Sequence, residues 1–206
     1  KDCLSMPAPS TDRSVILTFD DGPEHVDALE SIVDTLDRER VSACFFLLGQ
    51  GVDRHPDAAR LLADHGHELA NHGWSHARMP TLSEPEMFDE LCRTQEAIHR
   101  ATGVTPRRFR PPYGAGWINE KCPELIRSAA RLDLRMAAWA LDTYDWRDPN
   151  GIRLDRVTAF FQGSQPSACD DHLDLLMHVL HGTARDLSQL VALVRSRGFR
   201  FGGYDG

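Results

Sequence analysis

The sequence lacks both a long apolar run and a surplus of basic residues. No stretch approaches the length of a membrane span, and no signal-peptide pattern is visible. Lysine and arginine number 23 against 31 aspartates and glutamates, which gives a formal net charge of −8 at pH 7. Because phosphate backbones are bound by basic faces, this charge argues against a nucleic-acid partner. It does not select a class of ligand among neutral and cationic molecules.

The cysteines lack the spacing of a metal site. They show no C-x-x-C pattern, which argues against a cysteine zinc site. Cys44 lies in the apolar run 43–48, which we predict to be a strand covered by helices on both faces, so this thiol should be buried and unreactive. One or two disulfides stay possible among the remaining cysteines, which are Cys3, Cys92, Cys122 and Cys169.

Repeats, low-complexity stretches and linkers are absent as well. A chain of 206 residues suits one domain with a sizeable core. Apolar residues at 41% and charged residues at 26% are ordinary values for a soluble globular protein. We therefore predict a single domain over residues 1–206.

Apolar, β-rich segments alternate along the chain with segments of helical periodicity. Ser83 and Glu86 form a capping box for one helix, which should end at Gly103. Such alternation predicts about seven parallel strands with helices packed outside, in an open doubly wound sheet or a barrel. The least regular segments, 77–82 and 164–171, are predicted to be surface loops. The strands are predicted at 14–19, 43–48, 68–71, around Phe109, at 135–141 and at 173–178.

Reactive side chains cluster directly after these strands. In parallel α/β folds the carboxyl ends of the strands form one rim, and active sites are built there. The sequence therefore predicts one site at this rim. The residues concerned are Asp20 and Asp21, His72 and His76, Arg110, Asp142 and Asp145, and His178.

His72 and His76 stand four residues apart, a spacing that can place both imidazoles on one metal. The Asp20–Asp21 doublet can supply a carboxylate ligand, while its other member faces the metal-bound water as a base. Two histidines and one carboxylate suit a catalytic zinc-like site with open positions. The alternatives are a chance pair among ten histidines and an ordinary polar turn at the aspartates.

Three further segments complete the predicted rim. The prolines after Arg110 fix the backbone, so that Arg110 and the Tyr113 amide can be held in place. Trp146 can stack on a sugar face or belong to the core. His178 is a general-acid candidate or a structural residue, and His181 is its competitor three residues on.

Taken in order, these segments resemble the polysaccharide deacetylases of carbohydrate esterase family 4, the NodB-like homology domain. The resemblance runs over about 15–201, which we take as the core of a single catalytic domain. Its five motifs are T-F-D-D-G-P at 18–23, G-H-E at 66–68 with N-H-G-W-S-H at 71–76, R-P-P-Y-G at 110–114, D-T-Y-D-W at 142–146 and L-M-H at 176–178.

The resemblance implies a distorted (β/α) barrel and one divalent metal ion, usually Zn²⁺, with Co²⁺ or Ni²⁺ as alternatives. It implies metal binding by Asp21, His72 and His76, with Asp20 as the general base and His178 as the general acid. It further implies that Arg110 orients Asp20, that Asp145 tunes His178, that Trp146 and Leu176 line the acetyl pocket, and that the Tyr113 amide holds the oxyanion.

The implied activity is removal of N-acetyl groups from a polysaccharide containing N-acetylglucosamine, such as peptidoglycan or chitin. An O-acetyl esterase acting on a glycan and a non-catalytic glycan-binding copy are the alternatives. A monomer with a secreted or cell-envelope location is expected. Four residues depart from the family pattern or stay unassigned: Val179, which follows His178, and Asp133, Ala140 and His25.

Overall fold

The computed structural model describes residues 14–147, 151–163 and 172–204. The loop predicted at 164–171 lies outside these residues, as do Cys3 and Cys169. The strands are β1 Ser14–Gly22, β2 Ala43–Leu47, β3 Glu68–Asn71, β4 Arg108–Phe109, β5 Arg135–Met136, β6 Leu141–Asp142, β7 His172–His178 and β8 Arg200–Phe201. The helices are α1 Val26–Glu39, α2 Gly49–Arg54, α3 Pro56–Asp64, α4 Glu84–Thr102, α5 Pro123–Arg131, α6 Leu154–Gln162 and α7 His181–Ser196.

Seven strands form one sheet in the order β5-β4-β3-β2-β1-β7-β6, and every neighbouring pair is parallel. The short β8 pairs with the start of β1. Helices connect the parallel strands, as such crossovers require. The sheet curls into a half-barrel, which confirms the predicted distorted barrel.

The segment predicted as one strand at 135–141 is divided, and that prediction was wrong. Arg135–Met136 pairs with β4 at one sheet edge, whereas Leu141–Asp142 pairs with β7 at the other edge. The backbone amide of Ala137 still donates to Phe109 O at 2.8 Å, and that of Ala140 already donates to Asp174 O at 2.9 Å. The intervening residues therefore carry the chain across the opening of the barrel. A continuous apolar pattern cannot reveal such a change of partner.

Strand β2 shows how the two faces of the sheet differ. Phe45 and Leu47 belong to the large core between the sheet and the helices. Cys44 and Phe46 point the other way, into a small cluster inside the barrel with Ala70 and Ala137. Cys44 is buried as predicted, with 1% exposure. The expectation that helices cover both faces was wrong, because the inner face packs within the barrel.

The helices follow their sequence signals closely. Helix α4 begins with the predicted capping box, in which Ser83 N donates to Glu86 Oε2 at 2.7 Å, and it ends at Gly103 with φ of 76°. Helix α2 was not predicted, since its glycine-rich residues show no apolar periodicity. The loop at 77–82 contains a 3₁₀ turn, Met79–Thr81, and the side chain of Met79 is fully buried. The prediction of a surface loop at 77–82 therefore missed this turn and the contribution of Met79 to the core.

None of the helices in the described part of the chain combines the length and the apolar character needed to cross a bilayer.

Candidate active site

A cavity of about 370 Å³ opens at the carboxyl ends of the strands. All the site residues predicted from the sequence line it, apart from Arg110 and Asp145, which lie behind its wall. The lining residues are Asp20, Asp21, His72, His76, Tyr113, Gly114, Trp139, Asp142, Trp146, Leu176 and His178.

Three potential metal ligands converge in this cavity. Asp21, His72 and His76 each offer one ligand atom, and these atoms lie within 4.8 Å of one another. Asp21 Oδ1 is 3.3 Å from His72 Nε2 and 3.1 Å from His76 Nε2. These contacts lack hydrogen-bond geometry, so Asp21 Oδ1 is buried without a hydrogen-bond partner. Three donors aimed at a common point, one of them an unsatisfied buried oxygen, fit a divalent cation.

The end of β1 separates the two aspartates. The register of β1 against β2 shifts between Phe19 and Gly22, and Asp21 takes a left-handed φ of 66°. The two neighbouring carboxylates therefore point to different partners. Asp21 faces the imidazoles of His72 and His76, whereas Asp20 Oδ1 accepts a 2.7 Å hydrogen bond from Arg110 Nη1.

The two imidazoles are held from behind. His72 Nδ1 lies 2.7 Å from the carbonyl oxygen of Arg110. A carbonyl can only accept, so Nδ1 carries a proton, and in the neutral ring Nε2 then presents its lone pair to the cavity, which is the tautomer that a metal ligand needs. His76 Nδ1 lies 3.1 Å from the Tyr113 hydroxyl, and the two rings meet edge to face at 4.7 Å.

The charges of this cluster shift its pKa values. Burial lowers the pKa of His72, but the nearby carboxylates of Asp20 and Asp21 outweigh it and raise the pKa above its ordinary value. Burial raises the pKa of Asp21, but the close contacts and charge interactions with the imidazoles of His72 and His76 hold it far below the ordinary range. The site therefore favours an anionic carboxylate facing two nitrogen ligands.

Two residues to which the sequence analysis gave no role, Glu90 and the motif residue Asn71, shape the loop between the histidines. Glu90 on α4 accepts hydrogen bonds from Trp74 N at 2.8 Å, Ser75 N at 2.9 Å and Ser75 Oγ at 2.7 Å. Asn71 Oδ1 accepts from Gly73 N at 2.8 Å. The loop needs this support, because Gly73 and His76 both have left-handed φ values. Glu90 follows the motif by many residues on a separate helix, so no local spacing could reveal it.

Arg110 is a fully buried cation at the centre of the site. Nη1 donates to Asp20 Oδ1 at 2.7 Å and to Thr18 Oγ1 at 2.9 Å, and Nη2 donates to Ala138 O at 2.8 Å. The guanidinium lies over the ring of Phe46 at 4.0 Å. Its main-chain carbonyl accepts from His72, so one residue fixes both an imidazole and a carboxylate of the site.

His178 and Asp145 form the second buried pair. Asp145 Oδ1 is 2.9 Å from His178 Nδ1, and its Oδ2 accepts from His178 N at 2.7 Å and Thr183 Oγ1 at 2.6 Å. Burial lowers the pKa of His178, but the hydrogen bond and charge of Asp145 dominate and raise it to about 9. Thr183 was not predicted. Val179 is buried in the core, so support for His178 comes from Asp145 and not from the following residue.

The outer wall of the cavity is aromatic and exposed. Tyr113 and Trp146 are 63% and 54% exposed, whereas Leu176 is buried at the cavity floor. Trp146 Nε1 donates to Asp142 Oδ2 at 3.1 Å. Tyr113 and Gly114 both have left-handed φ values, and a Cβ on Gly114 would lie 2.5 Å from Ile118 and 2.9 Å from Trp139. Glycine is therefore required at this turn.

The remaining candidates lie outside the cavity. His181 is exposed and contacts Asp27 at 2.8 Å, and the ring of His25 is 5.9 Å from that of His181. Ala140 belongs to the crossing between the sheet edges, and Asp133 lies in the turn after α5 with φ of 56°. The structure thus brings His178, and not His181, to the rim.

Known proteins resemble this chain in sequence and in fold. The sequence profile of the family described as polysaccharide deacetylase matches residues 8–137. A peptidoglycan-N-acetylglucosamine deacetylase of Listeria monocytogenes is 33% identical over 198 residues, which are 95% of this chain and 39% of that protein. The chain thus spans about two fifths of the length of that relative.

Solved structures of this family have the same fold as this chain. A family 4 carbohydrate esterase from Streptomyces lividans, in complex with acetate, has a TM-score of 0.79 at 30% identity, covering 94% of both chains. A pseudoenzyme of the same esterase family from Bacillus anthracis has a TM-score of 0.80 at 27% identity, covering 94% of this chain and 64% of its own. By profile, sequence and fold, this chain belongs to the polysaccharide deacetylase family.

Proposed function

We propose that this protein is a metal-dependent hydrolase that removes N-acetyl groups from a glycan containing N-acetylglucosamine. One observation carries the proposal. The Asp21–His72–His76 cluster shares a single cavity with two groups that buried partners hold in place, namely Asp20 held by the guanidinium of Arg110 and His178 held by the carboxylate of Asp145. The deacetylase named among its relatives acts on peptidoglycan N-acetylglucosamine, which supports the same class of substrate.

Membership of the family implies a divalent ion, and we propose Zn²⁺ on Asp21, His72 and His76, with Co²⁺ or Ni²⁺ as alternatives. When bound, such an ion acts as a Lewis acid toward the acetyl carbonyl and favours deprotonation of water. Two nitrogens and one oxygen with open positions are a donor set suited to catalytic zinc.

The protein's own residues supply the proton transfers. Asp20 accepts a proton from the attacking water, and the buried Arg110 orients this carboxylate through the 2.7 Å contact between Nη1 and Oδ1. His178 Nε2 donates a proton to the departing amine, because Nδ1 is engaged by Asp145. The Tyr113 amide donates to the developing oxyanion, while Trp146 and Leu176 contact the acetyl methyl group.

Acetate release tests the proposal. Purified protein should release acetate from N-acetylglucosamine oligomers or from peptidoglycan, a chelator should abolish the release, and Zn²⁺ should restore it. Release from acetylated xylan alone would establish the O-acetyl esterase alternative. Binding of either glycan without any acetate release would establish the non-catalytic alternative, for which the pseudoenzyme among the structural relatives is a precedent.

A secreted or cell-envelope location follows from such a substrate, because cell-wall glycans lie outside the cytoplasmic membrane. We propose this location on the strength of the substrate alone.

A further inference from the structure

A second cavity, of about 590 Å³, lies beside the proposed active site, and its wall combines apolar side chains with three arginines. It flanks β6, one of the two edge strands of the sheet, between residues 144–147 and helix α6. Its charged lining residues are Arg147, Arg153, Arg156 and Asp155, and Tyr144 forms part of the wall. We refer to it as the arginine cavity.

The described residues that line the arginine cavity include three arginines and one aspartate. Asp155 forms a two-point ion pair with Arg153, at 2.8 Å and 3.1 Å. Arg156 donates to the carbonyl of Asp142 at 2.9 Å. Within residues 14–147, 151–163 and 172–204, neither Arg147 nor Arg156 has a carboxylate in ion-pair distance. Among the described residues, the guanidiniums of Arg147 and Arg156 are thus left without an ion-pair partner, although the chain as a whole has a net charge of −8.

The two cationic groups are supported in place by an aromatic ring. The guanidinium of Arg156 stacks over Tyr144 at 4.0 Å, and that of Arg147 lies 5.7 Å from the same ring. Stacking on an aromatic face orients a guanidinium while leaving its in-plane N–H groups free to donate. Planar N–H donors of this kind match the oxygens of a carboxylate.

The arginine cavity adjoins the proposed active site through a shared aromatic partition. Trp146 lines the active-site cavity and Tyr144 lines the arginine cavity, and their rings meet edge to face with centroids 6.0 Å apart. Asp142 links the two sides, since its carboxylate accepts from Trp146 and its carbonyl accepts from Arg156. A glycan that extended from the active site past Trp146 would therefore reach the cavity lined by Arg147 and Arg156.

We propose that the arginine cavity binds the carboxylate of an acidic sugar that neighbours the residue being deacetylated. This inference rests on the proposed function and narrows its substrate to acidic glycans. A neutral chain such as chitin presents no charge to the two guanidiniums. A glycan that alternates N-acetylglucosamine with a carboxylate-bearing sugar presents one next to each acetylated target.

The test compares two oligomers of equal length with the zinc-loaded protein. One contains only N-acetylglucosamine, and the other alternates N-acetylglucosamine with N-acetylmuramic acid, which carries a carboxylate. We expect a higher kcat/KM on the acidic oligomer. Arg147→Gln should lower the acidic-to-neutral ratio by about fivefold, mainly through KM, as expected for one solvent-exposed ion pair. Arg147→Lys should retain part of the preference, and about 1 M salt should reduce it.

Arg197→Gln is the matched control, because it removes the same charge from an exposed residue after α7, at the opposite end of the barrel. It should leave both rates unchanged. An acidic-to-neutral ratio unaltered by both Arg147→Gln and Arg156→Gln would refute the arginine-cavity assignment, while acetate release would still support deacetylation.

Calorimetry of oligomer binding to the Asp20→Asn variant separates the deacetylation proposal from the arginine-cavity proposal, because it measures affinity without turnover. If the wild-type protein released no acetate, yet Arg147→Gln weakened binding of the acidic oligomer, deacetylation would be wrong and the arginine cavity would stand. Equal affinity for both oligomers, with or without Arg147, would overturn the inference.

Discussion

Asp20 and His178 occupy paired positions at the ends of β1 and β7, and both side chains reach the same cavity. This geometry leads to a prediction about their separate substitution. Asp20→Asn and His178→Ala should each lower deacetylation of an N-acetylglucosamine oligomer by about 10²–10⁴-fold, because each removes a positioned proton transfer. Steady-state assays measure the loss, and elemental analysis should show that both variants still bind metal.

His181→Ala is the control for the second substitution. His181 is exposed, contacts Asp27 and does not line the cavity, so its loss should change the rate little. Loss of activity in the His181→Ala variant, together with full activity in the His178→Ala variant, would contradict the assignment of His178 as the general acid.

The Asp145–His178 pair predicts a pH dependence. The raised pKa of about 9 keeps His178 protonated through neutral pH, so activity should fall as the pH rises through that value. Asp145→Asn removes the charge that raises the pKa. The alkaline limb of kcat against pH should therefore move toward lower pH in this variant. An alkaline limb at the same pH in the Asp145→Asn variant would mean that a group other than His178 determines the pH dependence.

The same pair contributes to stability with a defined sign. The folded-state pKa of His178 lies above its unfolded value, so the pair's contribution is fully present below the unfolded pKa and is lost as the pH rises through about 9. We expect the wild-type protein to lose stability over this pH range and the Asp145→Asn variant to lose less. Thermal melting at a series of pH values measures both.

At the scale of elements, helix α4 holds the loop that carries the two histidines. Glu90→Gln should weaken zinc binding by about 10–100-fold, because Glu90 anchors Trp74 and Ser75 between the two ligands. Titration of metal-free protein by calorimetry measures this without reference to activity. Glu96→Gln, on the same helix beside Cys92, should leave zinc affinity unchanged. Equal affinities in the two variants would show that the loop holds its shape unaided.

Strand β2 gives a prediction for thiol reactivity. Cys44 is buried inside the barrel, and burial raises the pKa of its thiol well above the ordinary value, so thiolate is scarce. Cys92 and Cys122 are free and partly exposed, which makes them internal references. In the folded protein, a thiol reagent followed by mass spectrometry should label both before Cys44. Early labelling of Cys44 would show that the inner face of β2 is open.

The sequence predicted the elements well where local signals exist. The pattern around 43–48, the capping box at Ser83 and the strand at 68–71 match the structure closely. It failed at 135–141, where the chain changes partner strands, and for α2, whose glycines hide its helical character. Hydrophobic periodicity reports which face of a segment is buried, but it contains no information about which strand lies beside it.

For the site the same limit applies at longer range. Side chains that end strands could be assigned to one rim because parallel strands share a direction. Glu90 and Thr183 could not, since each acts through a hydrogen bond that depends on how a helix packs. The roles of the metal-cluster residues, the acid and the base stay predictions until the variants are measured.

At the scale of the whole molecule, a monomer is expected. Size-exclusion chromatography with light scattering on the 206-residue chain should give a mass near 23.1 kDa. A mass that is a multiple of this value would contradict that expectation.

The buried pair of Arg110 and Asp20 has a consequence for the stability of the molecule as a whole. Removing one member of a buried ion pair typically costs about 3–5 kcal/mol, so Asp20→Asn should lower the melting temperature as well as the rate. Replacing both members with apolar residues of similar volume is often neutral or stabilising by about 1–4 kcal/mol. A variant with both residues replaced in this way should therefore melt at a similar or higher temperature than the wild-type protein while lacking the carboxylate proposed as the base.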